Sequence, residues 1–230
     1  MIEKIQKRKV NIVASGRTDA KVHALNQCFH FDTDFYLSDK DWKKAINGHL
    51  PKDIYINSLE EVDRNFHARF NATNKRYDYL INLGDYDVFK RYRMFQPKYD
   101  LDIDLMEECS KIFIGYHDFS SFCSNPYSTH PDQRRYIRSI VFNIENDVLR
   151  ISYQGKGFLR YMVRMLTATL IEVGRHRISK KELIKMFESK DKGVCRVNAK
   201  PYGLYLVRVD YDESYKIDNE RAIKESNVKW

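Results

Sequence analysis

The sequence has no run of about 18 consecutive apolar residues, so it offers no membrane-spanning helix. It also lacks an apolar export segment near Met1, which predicts a cytoplasmic protein. Cysteine is scarce: four residues, at positions 28, 109, 123 and 195, with no CxxC pair. That spacing argues against a zinc framework, and free thiols suit a reducing compartment. Cys28 and His30 fall on one face of a predicted strand, but two ligands do not make a zinc site, so no metal is expected. There is no close internal repeat and no low-complexity segment.

What is present points to a polyanion. The 230 residues are enough for one large domain or two small ones with a real core. The net charge is +8, which makes nucleic acid the first candidate partner and a membrane surface the second. Aromatics reach 13%, including 16 tyrosines, and such rings among cations suit stacking on unpaired bases. Any single tyrosine, though, reads first as a core or strand residue.

The patterning predicts an α+β fold, a mixed or antiparallel central sheet with helices packed on one face. Strands are expected over 10–14, 22–32, 54–59, 75–83 and 204–209, from apolar runs and alternation. In the fourth, Tyr77, Tyr79, Ile81 and Leu83 share a face. A hairpin over 136–145 and 148–154 turns at Asn146-Asp147. Helices are expected from a Ser38 cap through 47, over 102–114, over 158–173 with Gly174 as its C′ residue, and from a Ser179 cap to 189. In the third, Met162, Leu166, Leu170 and Val173 form one apolar stripe, with Arg164 off it. The Ser-, Pro- and Asn-rich 115–135 reads as loop with one helical turn at most. "MIEKIQKRKV" is helix-like and leads straight into a buried-looking strand. The division expected is 1–84, 85–211 and a charged, mobile or loosely helical tail over 212–230.

One stretch carries chemistry. In "ASGRTDAKVHALNQCFHF" (14–31), Gly16, Arg17, Thr18 and Asp19 make a tight polar turn between apolar segments. A lone Asp in a turn is usually a cap. Here Arg17 stands nearby to pair a phosphate, Gly16 permits close backbone approach, and the flanking strands would hold a reactive group rigidly.

"GRTDAKVHAL" closely resembles the GRTDAGVHA signature of tRNA pseudouridine synthases of the TruA type. Four further segments resemble that family in order: "NFHARFNATNKRYDYLI" (65–81), "HDFSSF" (117–122), "GFLRYMVRMLTATLIEVG" (157–174) and "AKPYGLYLVRVDY" (199–211). GRTD alone would be weak; five ordered segments across nearly the whole chain are not.

The resemblance implies a reaction: uridine becomes its C-glycoside isomer, pseudouridine, without a cofactor, in the anticodon stem-loop of tRNA at positions 38 to 40. Asp19 matches the catalytic aspartate, ionised and acting as nucleophile or base. Tyr77 matches the active-site tyrosine, whose ring stacks on uracil and whose hydroxyl shuttles a proton. Arg164 matches the arginine of the MVR helix and is expected to pair with Asp19 and keep it ionised. Arg17 matches the arginine implicated in extruding the target nucleotide, filling the vacated space. Leu204 is a candidate for the uracil pocket, though a core role suits any leucine better. Lys75, Arg76, Lys90, Arg91, Arg93, Arg134, Arg135 and Arg138 are basic residues available to phosphates. The resemblance implies a homodimer, with tRNA across both subunits and neither DNA nor membrane as partner.

Two departures stand out. The family's opening strand and its YDG-x-x-x-x-GWQ segment do not precede the first helix here, which would remove part of an RNA-binding wall. Lys21 occupies the last glycine position of GRTDAG. If that position needs φ > 0, lysine costs about 1 kcal/mol or more; otherwise it adds a positive charge near Asp19. The alternative function is therefore a truncated or degenerate relative that binds RNA without catalysis.

Overall fold

Asn74–Asn82 forms the strand around which most of the chain is built (β4). The computed structural model describes residues 1–216. The other elements are α1 (Ile2–Gln6), β1 (Val13–Ala14), β2 (His23–Ala24), β3 (Phe29–His30), α2 (Asp39–Asn47), α3 (Ile103–Ser110), β5 (Gly115–Asp118), β6 (Arg134–Glu145), β7 (Val148–Gly155), α4 (Met162–Gly174), α5 (Lys180–Glu188) and β8 (Leu204–Asp210). Among the described residues no helix is long and apolar enough to cross a membrane. Of the expected charged tail, 213–215 form a 3-10 turn and residues from 217 lie outside the described residues.

Contacts divide the chain into two compact units. The larger comprises Arg17–Gln27 and Thr73–Asp210. Its six-stranded sheet has the order β2-β8-β4-β7-β6-β5. Only β2 and β8 run parallel, so the sheet is mixed and the fold α+β, as the patterning predicts. The register pairs Tyr77 with Tyr153, Tyr79 with Ile151 and Ile81 with Leu149. These rows form one apolar face, as the period of two requires. The stripe of α4 and Met106 and Cys109 of α3 share that core. Tyr153 and Thr167 hydroxyls meet at 2.8 Å, so the buried phenol is satisfied by the helix covering it. The opposite face is polar: Arg76 donates twice to Asp78, at 2.8 and 2.9 Å, and once to Ser152. The hairpin turns at Asn146 (φ 50°) and Asp147 (φ 59°), left-handed positions that these two side chains tolerate.

The smaller unit comprises Met1–Gly16, Cys28–Ala72 and the stretch from Tyr211. Its core is Ile2, Trp42 and Ile46, with Phe29, Phe31, Leu50 and Ile56 packed against them. Ser38 caps α2 by accepting from Asp41 N at 3.2 Å, as expected from its position.

Several expectations need correction. The 22–32 strand is two short pieces: β2 pairs with β8, whereas β3 pairs with β1. Alternation reports a half-buried extended chain but not which partner it joins. The 10–14 strand shortens to β1. No strand forms over 54–59, where the Asn47 amide serves both backbone groups of Ile56, donating to its carbonyl at 3.0 Å and accepting its N–H at 2.7 Å. That side chain replaces a strand partner. Conversely, 115–118 is an edge strand on β6, its pairing supplied by the neighbour rather than by propensity. Leu83 falls past the end of β4 and is exposed. The helix over 102–114 is α3 followed by a 3-10 turn, Lys111–Phe113. α4 starts at Met162, because Tyr161 is left-handed (φ 62°) and cannot continue a helix backwards. Gly174 is its last helical residue rather than a C′ residue; a Cβ there would lie 2.6 Å from Met106 Sδ, so close packing demands glycine.

Candidate active site

Between Gly16 and His23 the chain makes a turn that aims Asp19. Val22 N donates to Asp19 O at 3.1 Å, closing a four-residue β-turn. Lys21, its third residue, has φ 69°. That is the position where a left-handed residue is required and where glycine carries no steric penalty. Of the two possibilities for Lys21, the strained one is realised.

Asp19 Oδ2 accepts from Arg164 Nη1 at 2.8 Å, with side chains 25% and 12% exposed. Arg164 lies on the first turn of α4, off the apolar stripe, and so can face Asp19 while its neighbours bury. Its guanidinium is fixed on two further sides. Nε donates to Ala199 O at 2.8 Å. The Tyr161 ring lies beneath it, 5.1 Å from the centroid, within cation–π range. The Ala199 N–H in turn donates to Arg164 O at 3.1 Å. A planar fork held at Nε and stacked on a ring presents its terminal nitrogen in one orientation. The carboxylate therefore meets a preset positive charge.

Tyr77 sits beside this pair on β4, opposite Leu206 of β8 at a bulge between Arg76 and Tyr77. Such irregularities re-aim side chains near sites. Its ring meets Phe158 edge-on, centroids 5.3 Å apart at 84°. Burial, with the Asp19 charge as a smaller contribution, pushes the phenol up to about 12, so it stays protonated at neutral pH. Arg17 is exposed and has no ion pair or hydrogen bond among the described residues. Leu204 is buried in the main core, opposite Tyr79. The fold thus brings Asp19, Arg164 and Tyr77 together, leaves Arg17 projecting, and sinks Leu204 among core residues.

Of the basic residues singled out, Arg76 and Arg134 are held by Asp78 and Asp132 at 2.8 and 2.9 Å, and Lys75 is buried. Sequence reasoning missed Tyr161, Phe158 and the Ala199 carbonyl. Tyr161 lies three residues before Arg164, at the left-handed position just ahead of α4, and that short spacing was the available signal. Nothing in the sequence marks a carbonyl. Among the described residues no group of three or more His, Cys, Asp or Glu could hold a metal.

A family model described as tRNA pseudouridine synthase matches residues 1–71 and 110–212. Among curated relatives, a tRNA pseudouridine synthase A of Listeria monocytogenes is 42% identical over 216 residues, 92% of this chain and 86% of the relative. That of a Geobacillus species is 41% identical over 215 residues, with the same coverage of each. That of Bacillus licheniformis is 39% identical over 207 residues, 90% of this chain and 83% of the relative. With the fold, the five ordered segments and these matches in agreement, the chain belongs to the tRNA pseudouridine synthase family.

Proposed function

We propose that this protein isomerises uridine to pseudouridine in tRNA, at positions 38 to 40 of the anticodon stem-loop, and does so without a cofactor. The observation that carries the reading is the Asp19–Arg164 ion pair at 2.8 Å with the protonated Tyr77 beside it. The reaction breaks the bond from C1′ to N1 of uracil, turns the base and forms a bond from C1′ to C5. N1 gains a proton and C5 loses one, so the change is redox-neutral. Asp19 supplies the carboxylate that acts as nucleophile or base on the extruded nucleotide. Arg164 holds that carboxylate in one place before the substrate arrives, which limits reorganisation during reaction. Tyr77 offers a ring for the base and a neutral hydroxyl that can donate a proton. Arg17, exposed two residues before Asp19, occupies the gap left by the flipped base, and Leu204 contributes the apolar wall behind it.

The net charge of +8 supports a tRNA substrate held largely through phosphates. The reading includes a homodimer acting in the cytoplasm. The experiment is tritium release from [5-³H]uridine-labelled tRNA, with wild type and Asp19→Ala in parallel. Release by wild type and none by Asp19→Ala is the expected result. Retained tRNA binding without any release would turn the reading to an RNA-binding relative, an alternative that the strained Lys21 in the catalytic turn favours.

A further inference from the structure

Residues 84–93 leave the end of β4 as "GDYDVFKRYR", aromatic side chains interleaved with charged ones. The segment is held at its far end by two side chains of the larger unit. His23, on β2 and four residues past Asp19, donates from Nε2 to Tyr92 O at 2.8 Å. Tyr205, on β8, donates from Oη to Arg93 O at 2.6 Å. The two anchoring rings stack on each other, centroids 4.6 Å apart and 21° between planes. At the near end Asp87 caps a 3-10 turn, Val88–Lys90, accepting from Phe89 N at 2.8 Å.

The backbone is therefore set, yet Phe89 is 85% exposed and Tyr92 63% exposed. Tyr86 and Val88 are exposed beside them. A lone exposed ring would mean little, but several on one fixed segment form a surface meant to be covered. Charge selects the occupant. Arg91 lies over the Tyr92 ring, 4.8 Å from its centroid, and Arg93 follows it, while Lys90 pairs with Asp87 at 3.6 Å. The acidic Asp85, Asp87 and Asp147 line an adjoining hollow that Phe89 and Lys90 border as well, whereas Arg91, Tyr92 and Arg93 lie outside it. Rings alternating with cations suit unpaired bases and the phosphates between them. A protein face would have to desolvate those cations.

We propose that residues 88–93 form a base-stacking contact for unpaired nucleotides of the RNA substrate next to the target uridine. Phe89 and Tyr92 are the stacking platforms, Arg91 and Arg93 meet phosphates, and His23 with Tyr205 latches the segment to the strand that follows the catalytic turn. This rests on the tRNA reading above.

The test is equilibrium binding of full-length protein to fluorescent tRNA across a salt series, with Asp19→Asn in every sample to stop turnover. Phe89→Ser and Tyr92→Ser should each weaken binding about tenfold without changing the salt slope, because stacking releases no counterions. Phe89→Trp should bind like the parent. Arg91→Gln and Arg93→Gln should each lower the slope by about one. His23→Leu, which breaks the latch, should weaken binding about as much as Tyr92→Ser. Thermal melts check that these substitutions leave the fold intact. Unchanged affinity in both aromatic variants overturns the inference. So does a smaller sedimenting species at unchanged affinity, which would mean that a second copy covers the rings. A parent chain that binds no tRNA and releases no tritium overturns the underlying reading as well.

Discussion

Replacing Lys21 by glycine tests the geometry of the catalytic turn most directly. Lys21 sits at φ 69°, where a Cβ crowds the following carbonyl at a cost of about 1–2 kcal/mol. Glycine escapes that penalty but adds about 0.5–1 kcal/mol of chain entropy to the unfolded state. The net expectation for Lys21→Gly is about 0.5–1 kcal/mol of added stability, or roughly 1–4 °C in Tm for a chain of this size. Lys21 is exposed, so its charge contributes little to that sum. Lys21→Ala separates strain from charge: it loses the ammonium but keeps the Cβ, and should be less stable than Lys21→Gly by about 1 kcal/mol. The assay is urea denaturation of the three proteins side by side, with tritium release measured on the same samples. Because the strained residue sits between Asp19 O and the Val22 N–H that closes the turn, relaxing it should also raise activity. If Lys21→Gly and Lys21→Ala have equal stability and equal activity, the strain argument is wrong.

Arg164→Lys should lower tritium release about 100-fold, because one ammonium cannot bond both Ala199 O and Asp19 Oδ2 as the fork does. Arg164→Met should also cost about 1–2 kcal/mol in urea unfolding, a figure reduced because the pair is partly solvated; wild-type stability would show that the pair is idle. Tyr77→Phe keeps the ring and removes the hydroxyl, and should slow release by about 10²-fold if the phenol moves a proton; a wild-type rate would leave stacking as its sole role. Because the folded phenol titrates up at about 12, against 10 for an ordinary tyrosine, the unfolded chain binds fewer protons between those values. Stability should therefore fall as pH rises from 10 to 12, and Tyr77→Phe should flatten part of that fall in denaturant midpoints. Gly174→Ala should destabilise by about 1–3 kcal/mol, its Cβ meeting Met106 and the Asp102 carbonyl; an unchanged melting curve would show that α3 yields freely.

Much of the architecture was legible because it rests on local rules. Ser38 and Ser179 cap helices since their hydroxyls accept from the first turn, whatever lies around them. Asn146 and Asp147 tolerate left-handed backbone, so the hairpin turn could be placed. The β4 alternation and the α4 stripe are periodicities of burial, and Tyr79, Ile81 and Leu166 lie in the core as expected, although Leu83 falls past the strand and α4 is buried well beyond its stripe. The misses share a cause. Whether 22–32 makes one strand or two depends on β1 and β8, which lie far away in sequence. The loss of a strand at 54–59 depends on the Asn47 amide, and the gain of one at 115–118 depends on β6.

For the site, the sequence by itself determined the chemical groups: a carboxylate, a phenol and a guanidinium, on segments whose resemblance to one family named their roles. It also raised Lys21 as a question, since residue type shows that a left-handed turn would be strained but not whether the turn is left-handed. The resemblance also led to the expectation that Arg164 pairs with Asp19, and the structure pairs them across 145 positions of chain. Only the tertiary structure decided that φ is 69° and that Tyr161 and the Ala199 carbonyl hold the guanidinium. The division has a physical reason. Capping, turn preference and burial period act over a few bonds and are written in neighbouring residues. Orientation of a charge depends on ring faces and carbonyls that only long-range packing brings within reach.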